Sequence, residues 1–176
     1  MKIREAALYD VEPIAALHAA SWQNTYAKVL KKKYLTDLGP LERKALWQQR
    51  LSQPRSGQRV LVAVASGQVI GFVCIFIDEN PALGSYLENL HVASPAQGHG
   101  IGGKLICEAA SICAKQAASQ KLYLLVNQDN VRAQDFYLSY GATNAAEAVW
   151  NAPDGSAVPT FRFEWPSVVE LAEKAV

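Results

Sequence analysis

A glycine-rich stretch connects a predicted strand to a predicted helix, and its sequence is Gln97-Gly98-His99-Gly100-Ile101-Gly102-Gly103. It follows an alternating run, Tyr86 to Val92, which predicts a β-strand, and it precedes a helical pattern from about Gly102 to Ala118. A further apolar run, Leu122 to Val126, predicts a buried strand. A strand, a helix and a second strand in this order form a parallel crossover, and ligands collect in the loops at its carboxyl end.

The rest of the sequence predicts helices and antiparallel strands around this crossover. The predicted elements are a strand at Ile3 to Ala7, a helix capped by Asp10 and running to about Ala27, a helix opened by Pro40, a hairpin of Val60 to Ala65 and Val69 to Ile77, a helix capped by Asn130 and stopped by Gly141, and strands at Ala145 to Trp150 and Thr160 to Trp165. We therefore expect an α/β fold of the α+β type, with a mixed sheet that is mostly antiparallel.

The composition limits the partners and the compartment. The chain has 176 residues, half of them hydrophobic, so we expect one domain over residues 1–176. Lys and Arg number 17 against 16 Asp and Glu, and this balance disfavours nucleic acid and anionic membranes as partners.

The three cysteines, Cys74, Cys107 and Cys113, lack a metal or disulfide spacing and are predicted to be reduced core thiols. No signal core follows Met1, and no apolar run could span a bilayer, so a cytoplasmic location is expected for a bacterial-type cell.

The glycine-rich stretch itself predicts an anion site, because glycines let the backbone approach a phosphate and free helical N–H groups point at it. Three alternatives exist. Such a turn can serve only to pack a helix on a sheet. A Walker loop is disfavoured because position 105 is Leu, where a hydroxyl must meet magnesium. A dinucleotide fingerprint is disfavoured because the loop follows antiparallel strands rather than an N-terminal βαβ unit.

Two motifs give the sequence a specific resemblance. Gln97-x-x-Gly100-x-Gly102, after Leu90-His91-Val92, resembles the acetyl-CoA signature of the GNAT superfamily of N-acetyltransferases. The downstream run Asn127-x-x-Asn130-x-x-Ala133-x-x-Phe136-Tyr137-x-x-x-Gly141 is similar to the second cofactor motif of that superfamily. The resemblance implies the GNAT-type acyl-CoA N-acyltransferase fold, a twisted sheet with one splayed parallel pair and helices on both faces. It also implies acetyl-CoA as the cofactor and no metal.

The resemblance further implies where the cofactor lies. The pantetheine arm would lie between Tyr86 to Val92 and Leu122 to Val126, against the backbone of Leu90, His91 and Val92. The pyrophosphate would be held by the loop that begins at Gln97, through the N–H groups of Gly98, His99, Gly100, Ile101, Gly102 and Gly103. The second motif would add Asn127, Asn130, Ala133, Phe136 and Tyr137.

Acetyl transfer from a thioester requires a neutral amine, a proton acceptor and a donor for the departing thiolate. By resemblance Tyr137 is the donor, although a helical Phe-Tyr pair can also be plain core. Glu88 is the leading base, because strand alternation gives it the same facing as Leu90 and Val92, and burial raises the proton affinity of a carboxylate. A solvated strand carboxylate is the alternative. The three histidines His18, His91 and His99 are not predicted to be the base.

The acceptor side is predicted from Ala20-Ser21-Trp22-x-x-Thr25-Tyr26 followed by Tyr34-Leu35, which resembles a segment common in bacterial GNAT proteins. Trp22, Tyr26 and Tyr34, together with Glu88, are the candidate substrate-binding residues. An aromatic wall of this kind would attract an ammonium group through cation–π contact, while aromatic residues at helical spacing can equally be core.

The expected function is transfer of an acetyl group from acetyl-CoA to a primary amine of a small molecule, by direct attack in a ternary complex. A protein N-terminus or lysine is the alternative acceptor, and a non-catalytic acyl-CoA-binding module is the alternative class. We expect that a homodimer can form through the tail Ala142 to Trp165 and the apolar Val168-Val169-Leu171 segment, because an exposed strand edge can pair with a second copy of the chain.

Overall fold

The computed structural model describes residues 1–174, which form one mixed sheet with helices on both faces. The strands are β1 (Lys2–Glu5), β2 (Gln58–Ala65), β3 (Gln68–Asn80), β4 (Gly84–Val92), β5 (Leu122–Asn127), β6 (Thr143–Asn151) and β7 (Ala157–Trp165). The helices are α1 (Val11–Thr25), α2 (Gly39–Ser52), α3 (Ile101–Gln116), α4 (Val131–Ser139) and α5 (Val168–Ala172), with a π-helical turn at Tyr34–Leu38 before α2. The predicted order of elements is confirmed.

The sheet has seven strands in the order β1-β2-β3-β4-β5-β7-β6, and only β4 and β5 are parallel. Their pairing is confined to Ser85 with Leu122 and Tyr86 with Tyr123. Beyond that point the two strands diverge, and the carboxyl halves of both line one cleft. The predicted mixed sheet with one splayed parallel pair is therefore confirmed.

Two hydrophobic clusters hold the helices to the sheet. On one face, Leu105 and Ile106 of α3 pack with Leu122, Leu124 and Phe163 of the sheet. The cluster on the other face contains Ile14, Trp47, Val62 and Phe72, and it fixes α1 and α2. Val168 and Leu171 of α5 are buried in the first cluster, so these two side chains of the segment predicted to support a dimer are part of the core.

Local sequence signals explain most element ends. The two-residue turn Ser66-Gly67 has φ of 49° and 78°, which is the left-handed geometry that suits the twist of the β2–β3 hairpin. The Asn130 side chain accepts a hydrogen bond from the Ala133 N–H at 3.2 Å and caps α4 as predicted. Asp10 does not cap α1, because its carboxylate is held by Arg4 and by the Ala7 N–H at 2.8 Å.

A bulge in β4 changes which side chains share a face. Cys74 of β3 pairs with Asn89 and Ile75 pairs with Leu87, so Glu88 is an extra residue in the ladder. The prediction that Glu88 faces the same side of the strand as Leu90 and Val92 is therefore wrong. Leu90 and Val92 pack in the α3 cluster, whereas Glu88 contacts α2 and His91 contacts α1.

Candidate active site

The cleft where β4 and β5 separate has a volume of about 1690 Å³. Small-ligand pockets usually measure about 300–1,000 Å³, so this cleft has room for a long cofactor together with a second molecule. Its walls come from β4 and β5, the amino end of α3, α4, the carboxyl end of α1 and the face of α2. Glu88 to Val92 and Leu124 to Asn127 form the inner edges where the strands separate.

Asn127 ends β5 at this cleft and is 3% exposed. Its Oδ1 accepts the Asp129 N–H at 3.0 Å, but its Nδ2 has no hydrogen-bond partner within residues 1–174. A buried donor without a partner is costly, and at a cleft wall it can be satisfied by a ligand. The sequence motif therefore places a free amide donor beside the separating strands.

The glycine-rich loop leads directly into α3. Gly98 and Gly100 have φ of 82° and 73°, and a Cβ built at either would meet no described atom within 4 Å. The Lys104 N–H is bonded to the Gly100 carbonyl at 3.1 Å, as the first turn of the helix closes. Helical N–H groups before this first bond have no acceptor in the helix, so they and the helix dipole favour an anion.

The side chains of Gln97 and His99 contact backbone carbonyls in and beside the loop. The Gln97 Nε2 donates to the Val92 carbonyl at 2.9 Å and ties the loop to the end of β4. The His99 Nδ1 lies 3.0 Å from the Gln97 carbonyl, and the ring is not among the described residues that line the cleft. The His99 side chain is exposed to solvent.

Gly103 and Gly102 differ in the space around them. A Cβ at Gly103 would lie 1.8 Å from the Tyr140 Oη, whereas a Cβ at Gly102 would lie 3.5 Å from Phe136, an ordinary contact. Tyr140 and Phe136 are themselves in contact, with ring centroids 4.8 Å apart. Gly103 therefore lets α3 approach α4 closely, and this contact positions the second motif against the first.

Tyr137 lies on α4 with 8% of its surface exposed, and it lines the cleft. Its ring packs edge-on against Trp165, with centroids 5.9 Å apart, and Phe136 and Ala133 line the cleft beside it. Burial raises the pKa of Tyr137 well above the ordinary value for a phenol. The hydroxyl therefore keeps its proton at neutral pH and can donate it.

Glu88 is paired with an arginine of α2. Arg50 Nη2 donates to Glu88 Oε1 at 2.8 Å, and Nη1 lies 2.5 Å from Oε2. The Asn89 amide also donates to Oε2 at 2.7 Å. The sequence analysis did not include this partner, because the strand pattern around Glu88 cannot reveal a cation that α2 supplies.

His91 of β4 and His18 of α1 form a pair of rings in contact with each other. Their ring centroids are 4.8 Å apart, and the His91 Nδ1 is hydrogen-bonded to the Ser21 hydroxyl at 2.7 Å. The His18 Nδ1 accepts the Trp47 indole N–H at 3.0 Å. Burial lowers the pKa of His91 to about 4 and places that of His18 well below its usual range, so both rings are neutral at pH 7. His91 lines the cleft as a neutral group.

An aromatic wall lines the cleft, and one of its three residues differs from the prediction. Trp22, Tyr26 and Trp150 contact one another, with centroids between 5.4 and 5.5 Å apart, and all three line the cleft. Tyr34 is buried behind the wall, where its hydroxyl donates to Glu42 at 2.5 Å, so its predicted place in the wall is wrong. Trp150 comes from β6 and occupies the place that Tyr34 was predicted to fill.

Two segments that are distant in sequence are joined to each other near the aromatic wall. The Lys31 N–H donates to Asp154 Oδ2 at 2.7 Å, and the Lys31 ammonium donates to the Asp154 carbonyl at 2.8 Å. Leu30 and Leu35 pack below this contact against Ala152 and Val158. The loop after α1 and the β6–β7 turn, which both line the cleft, are therefore joined to each other.

Residues 1–174 contain no cluster of three or more His, Cys, Asp or Glu side chains that could hold a metal ion. Over the same residues, no helix is both long and apolar enough to pass through a bilayer. The cytoplasmic location, the lack of nucleic-acid and membrane partners and the homodimer remain predictions.

The fold and the cleft define an acyl-CoA-type transferase, and sequence comparison gives the family. Residues 16–142 match the Acetyltransferase (GNAT) family, so the chain belongs to that family. The resemblance seen in the two motifs is confirmed. The enzyme class, an N-acetyltransferase, and acetyl-CoA as the cofactor are confirmed at the level of the family.

Individual relatives agree with this assignment. L-amino acid N-acetyltransferase AaaT of Escherichia coli (strain K12) is 28% identical over 140 residues, which are 79% of this chain and 80% of that protein. The PaiA N-acetyltransferase of Thermoplasma acidophilum, solved in complex with coenzyme A, superposes with a TM-score of 0.71 at 22% identity, over 90% of this chain and 96% of that one. A ribosomal-protein-alanine N-acetyltransferase of Brucella melitensis gives 0.72 at 23% identity, over 94% and 99%. The two structures show the same fold.

Sequence reasoning missed Arg43, Arg50 and Trp150, which also line the cleft. Arg43 and Arg50 are seven residues apart, or about two helical turns, so helical periodicity could have placed them on one face of α2. No local signal marks Trp150, because the order of β7 and β6 in the sheet brings it to the cleft.

Proposed function

We propose that this chain transfers the acetyl group of acetyl-CoA to a primary amine of a small molecule, by direct attack within a ternary complex. The observation that carries the choice of acceptor is the contact between Lys31 and Asp154, which joins the loop after α1 to the β6–β7 turn, two segments that line the cleft. A peptide substrate usually needs an open groove or an unpaired strand edge, and a contact that joins two walls of the cleft favours a small molecule instead. The name of the relative AaaT, an L-amino acid N-acetyltransferase, supports the same choice.

The residues of the cleft fit the cofactor. Free N–H groups between Gly98 and Gly103 suit the pyrophosphate, and the diverging backbone of Leu90 to Val92 suits the pantetheine arm. Asn127 offers its unpartnered Nδ2, and Asn130, Ala133 and Phe136 build the opposite wall. When bound, acetyl-CoA supplies a thioester carbonyl that an amine can attack without a metal.

Tyr137 is the proposed general acid. Its phenol remains protonated at neutral pH because burial raises the pKa, and it lines the cleft at the point where the two motifs meet. Proton donation by a positioned side chain typically contributes about 10²–10⁴-fold to a rate. A thiol of ordinary pKa about 8.5 is a stronger acid than a phenol of about 10, so Tyr137 first donates a hydrogen bond to the sulfur as negative charge develops there, and its proton follows as the C–S bond breaks.

Glu88 is the proposed base, acting as a paired carboxylate. A primary amine of ordinary pKa about 10.4 arrives mostly as an ammonium ion, so a group in the cleft must take a proton before attack. Glu88 lines the cleft on the α2 face and carries a negative charge that Arg50 holds in place. It can attract the ammonium and receive a proton from it, directly or through one water.

The test is thiol release from acetyl-CoA with a panel of amino acids, polyamines, aminoglycosides and short peptides, beside a calorimetric titration of acetyl-CoA. We expect turnover with one class of small amine and intersecting initial-velocity lines. Turnover with peptides alone would replace the small-molecule acceptor by a protein. Tight acetyl-CoA binding without turnover on any amine would support a non-catalytic acyl-CoA-binding module instead.

A further inference from the structure

Helix α2 contributes two arginines to the cleft, and they differ in how closely a carboxylate approaches them. Arg50 is held by both oxygens of Glu88. Among residues 1–174, the one carboxylate within 4 Å of the Arg43 guanidinium is Glu42, with 3.8 Å between Nη2 and Oε2. That same Glu42 oxygen already accepts the Tyr34 hydroxyl at 2.5 Å. The charge of Arg43 is therefore poorly compensated within the described protein.

Arg43 is nevertheless buried, with 9% of its surface exposed. Its Nε has no hydrogen-bond partner in the described part of the chain, and its Cζ lies 4.2 Å from the centroid of the Trp22 ring. Burial lowers the pKa of Arg43, which reflects the cost of keeping this cation from water. A buried charge without a partner is strongly unfavourable, and since Arg43 lines the cleft, a bound ligand can supply the missing partner.

We propose that Arg43, stacked on Trp22, forms a subsite for a carboxylate of the acceptor, so that the acceptor is an amine that also carries a carboxylate, such as an amino acid. This inference rests on the proposed small-molecule acetyltransferase. A planar guanidinium matches a carboxylate with two parallel N–H bonds, which a lysine cannot do. The Trp22 ring covers one side of the guanidinium, with 4.2 Å between Cζ and the ring centroid, and so limits the directions from which a carboxylate can approach.

The charges around the subsite complement a zwitterion. Glu88 and Arg50 lie close enough to Arg43 to act on its charge, and the Glu88 carboxylate lines the same cleft. The ammonium of an amino acid then faces Glu88 while its carboxylate faces Arg43. A polyamine or an aminoglycoside would place a second positive charge near Arg43, and like charges disfavour binding.

The experiment compares matched pairs of acceptors that differ only in the carboxylate, for example phenylalanine with phenethylamine and leucine with isoamylamine. A charge-assisted pair of hydrogen bonds should favour the amino acid of each pair by about 30-fold or more in kcat/KM. Arg43→Met should reduce this ratio to about threefold or less, and Arg43→Lys should retain part of it. Lys44→Met is the matched control, because Lys44 is exposed on the same helix, pairs with Glu12 and is outside the cleft.

A binding measurement separates this inference from the proposed function. The protein saturated with coenzyme A is titrated calorimetrically with both members of each pair, and unchanged coenzyme A affinity reports that each variant is folded. If the amino acids bind in an Arg43-dependent way but no amine is acetylated, the subsite stands and the transferase proposal fails. If amines are acetylated with no preference for a carboxylate, or if Arg43→Met leaves the preference intact, the subsite is overturned and the transferase stands.

Discussion

Arg50 of α2 holds Glu88 of β4 on the sheet face that His91 also occupies, with 2.8 Å between Arg50 Nη2 and Glu88 Oε1. The bulge at Glu88 creates this arrangement, because one extra residue in the β4 ladder reverses the facing expected from simple alternation. The Glu88 carboxylate therefore lies in the cleft in a fixed orientation. Leu87 and Leu90 of the same strand pack in the core on the other face.

Replacing Glu88 tests its role as the base. Glu88→Gln should lower kcat/KM for the acceptor by about 10²-fold, because the amide can neither attract the ammonium nor take its proton. The acetyl-CoA dissociation constant should stay within about twofold, because the carboxylate faces α2 rather than the glycine loop. Steady-state kinetics with the best acceptor and calorimetry provide the two measurements.

The matched control for this change is Glu79→Gln. Glu79 is also a strand carboxylate held by an arginine, Arg55, at 2.8 Å, but it is outside the cleft. We expect the control to retain nearly full activity. Equal losses in the two variants would mean that Glu88 acts only through its ion pair and that another group or water is the base.

Replacing Tyr137 tests the general acid. Tyr137→Phe should reduce turnover by about 10²-fold or more and leave acetyl-CoA affinity nearly unchanged, because only the proton donor is removed. Tyr123→Phe is the control, since Tyr123 lies on β5, stacks on Tyr86 and is not among the described residues that line the cleft. Undiminished turnover of Tyr137→Phe would show that the thiolate leaves with a proton from another donor or from water.

The two glycines at the start of α3 should respond differently to a methyl group. Gly103→Ala should weaken acetyl-CoA binding and lower stability by about 1–3 kcal/mol, because its Cβ would lie 1.8 Å from the Tyr140 Oη and push α3 and α4 apart. Gly102→Ala should bind acetyl-CoA normally, because its Cβ would lie 3.5 Å from Phe136. Thermal melts and acetyl-CoA titrations of both variants test the difference, and similar behaviour in the two would refute it.

The buried histidines predict a loss of stability on mild acidification. His91, with a pKa of about 4, and His18, with a pKa well below normal, stay neutral in the folded protein, while the unfolded chain binds protons below a pH of about 6.5. Stability is therefore fully present above that pH and falls as the pH drops towards the folded pKa values, by up to about 1.4 kcal/mol per pH unit for each histidine.

Urea unfolding at pH values from 7.5 to 5 measures this dependence. The variant His91→Asn should show a shallower decline over that range, because it removes one of the two protons that the unfolded chain gains. A free energy of unfolding that stays constant between pH 7 and pH 5 would contradict the neutral, buried state of the pair.

Much of the fold was accessible from the sequence because its signals are local. The turn Ser66-Gly67, the cap Asn130 and the glycine-rich loop each determine an element end within a few residues. The parallel pair followed from the order strand, helix, strand. The mistaken cap at Asp10 also has a local origin, because Arg4 competes for the same carboxylate.

The acceptor side was less accessible because it depends on contacts between distant elements. The pairing of Glu88 with Arg50 joins β4 to α2. The contact of Trp150 with Trp22, in the position predicted for Tyr34, joins β6 to α1. The bulge at Glu88 was also hidden, because Tyr86 to Val92 has a composition compatible with a regular strand. Periodicity describes one element at a time, so it cannot supply these relationships.

The most direct test of acetyl transfer to a small amine follows radiolabelled acetyl groups from acetyl-CoA through a reaction that contains the acceptor panel. We expect the label to leave as an N-acetylated small molecule, identified by mass spectrometry, with no labelled protein at any time and with loss of the product in Tyr137→Phe. Label found only on polypeptide, or retained wholly in acetyl-CoA that the protein binds tightly, would contradict the proposed function.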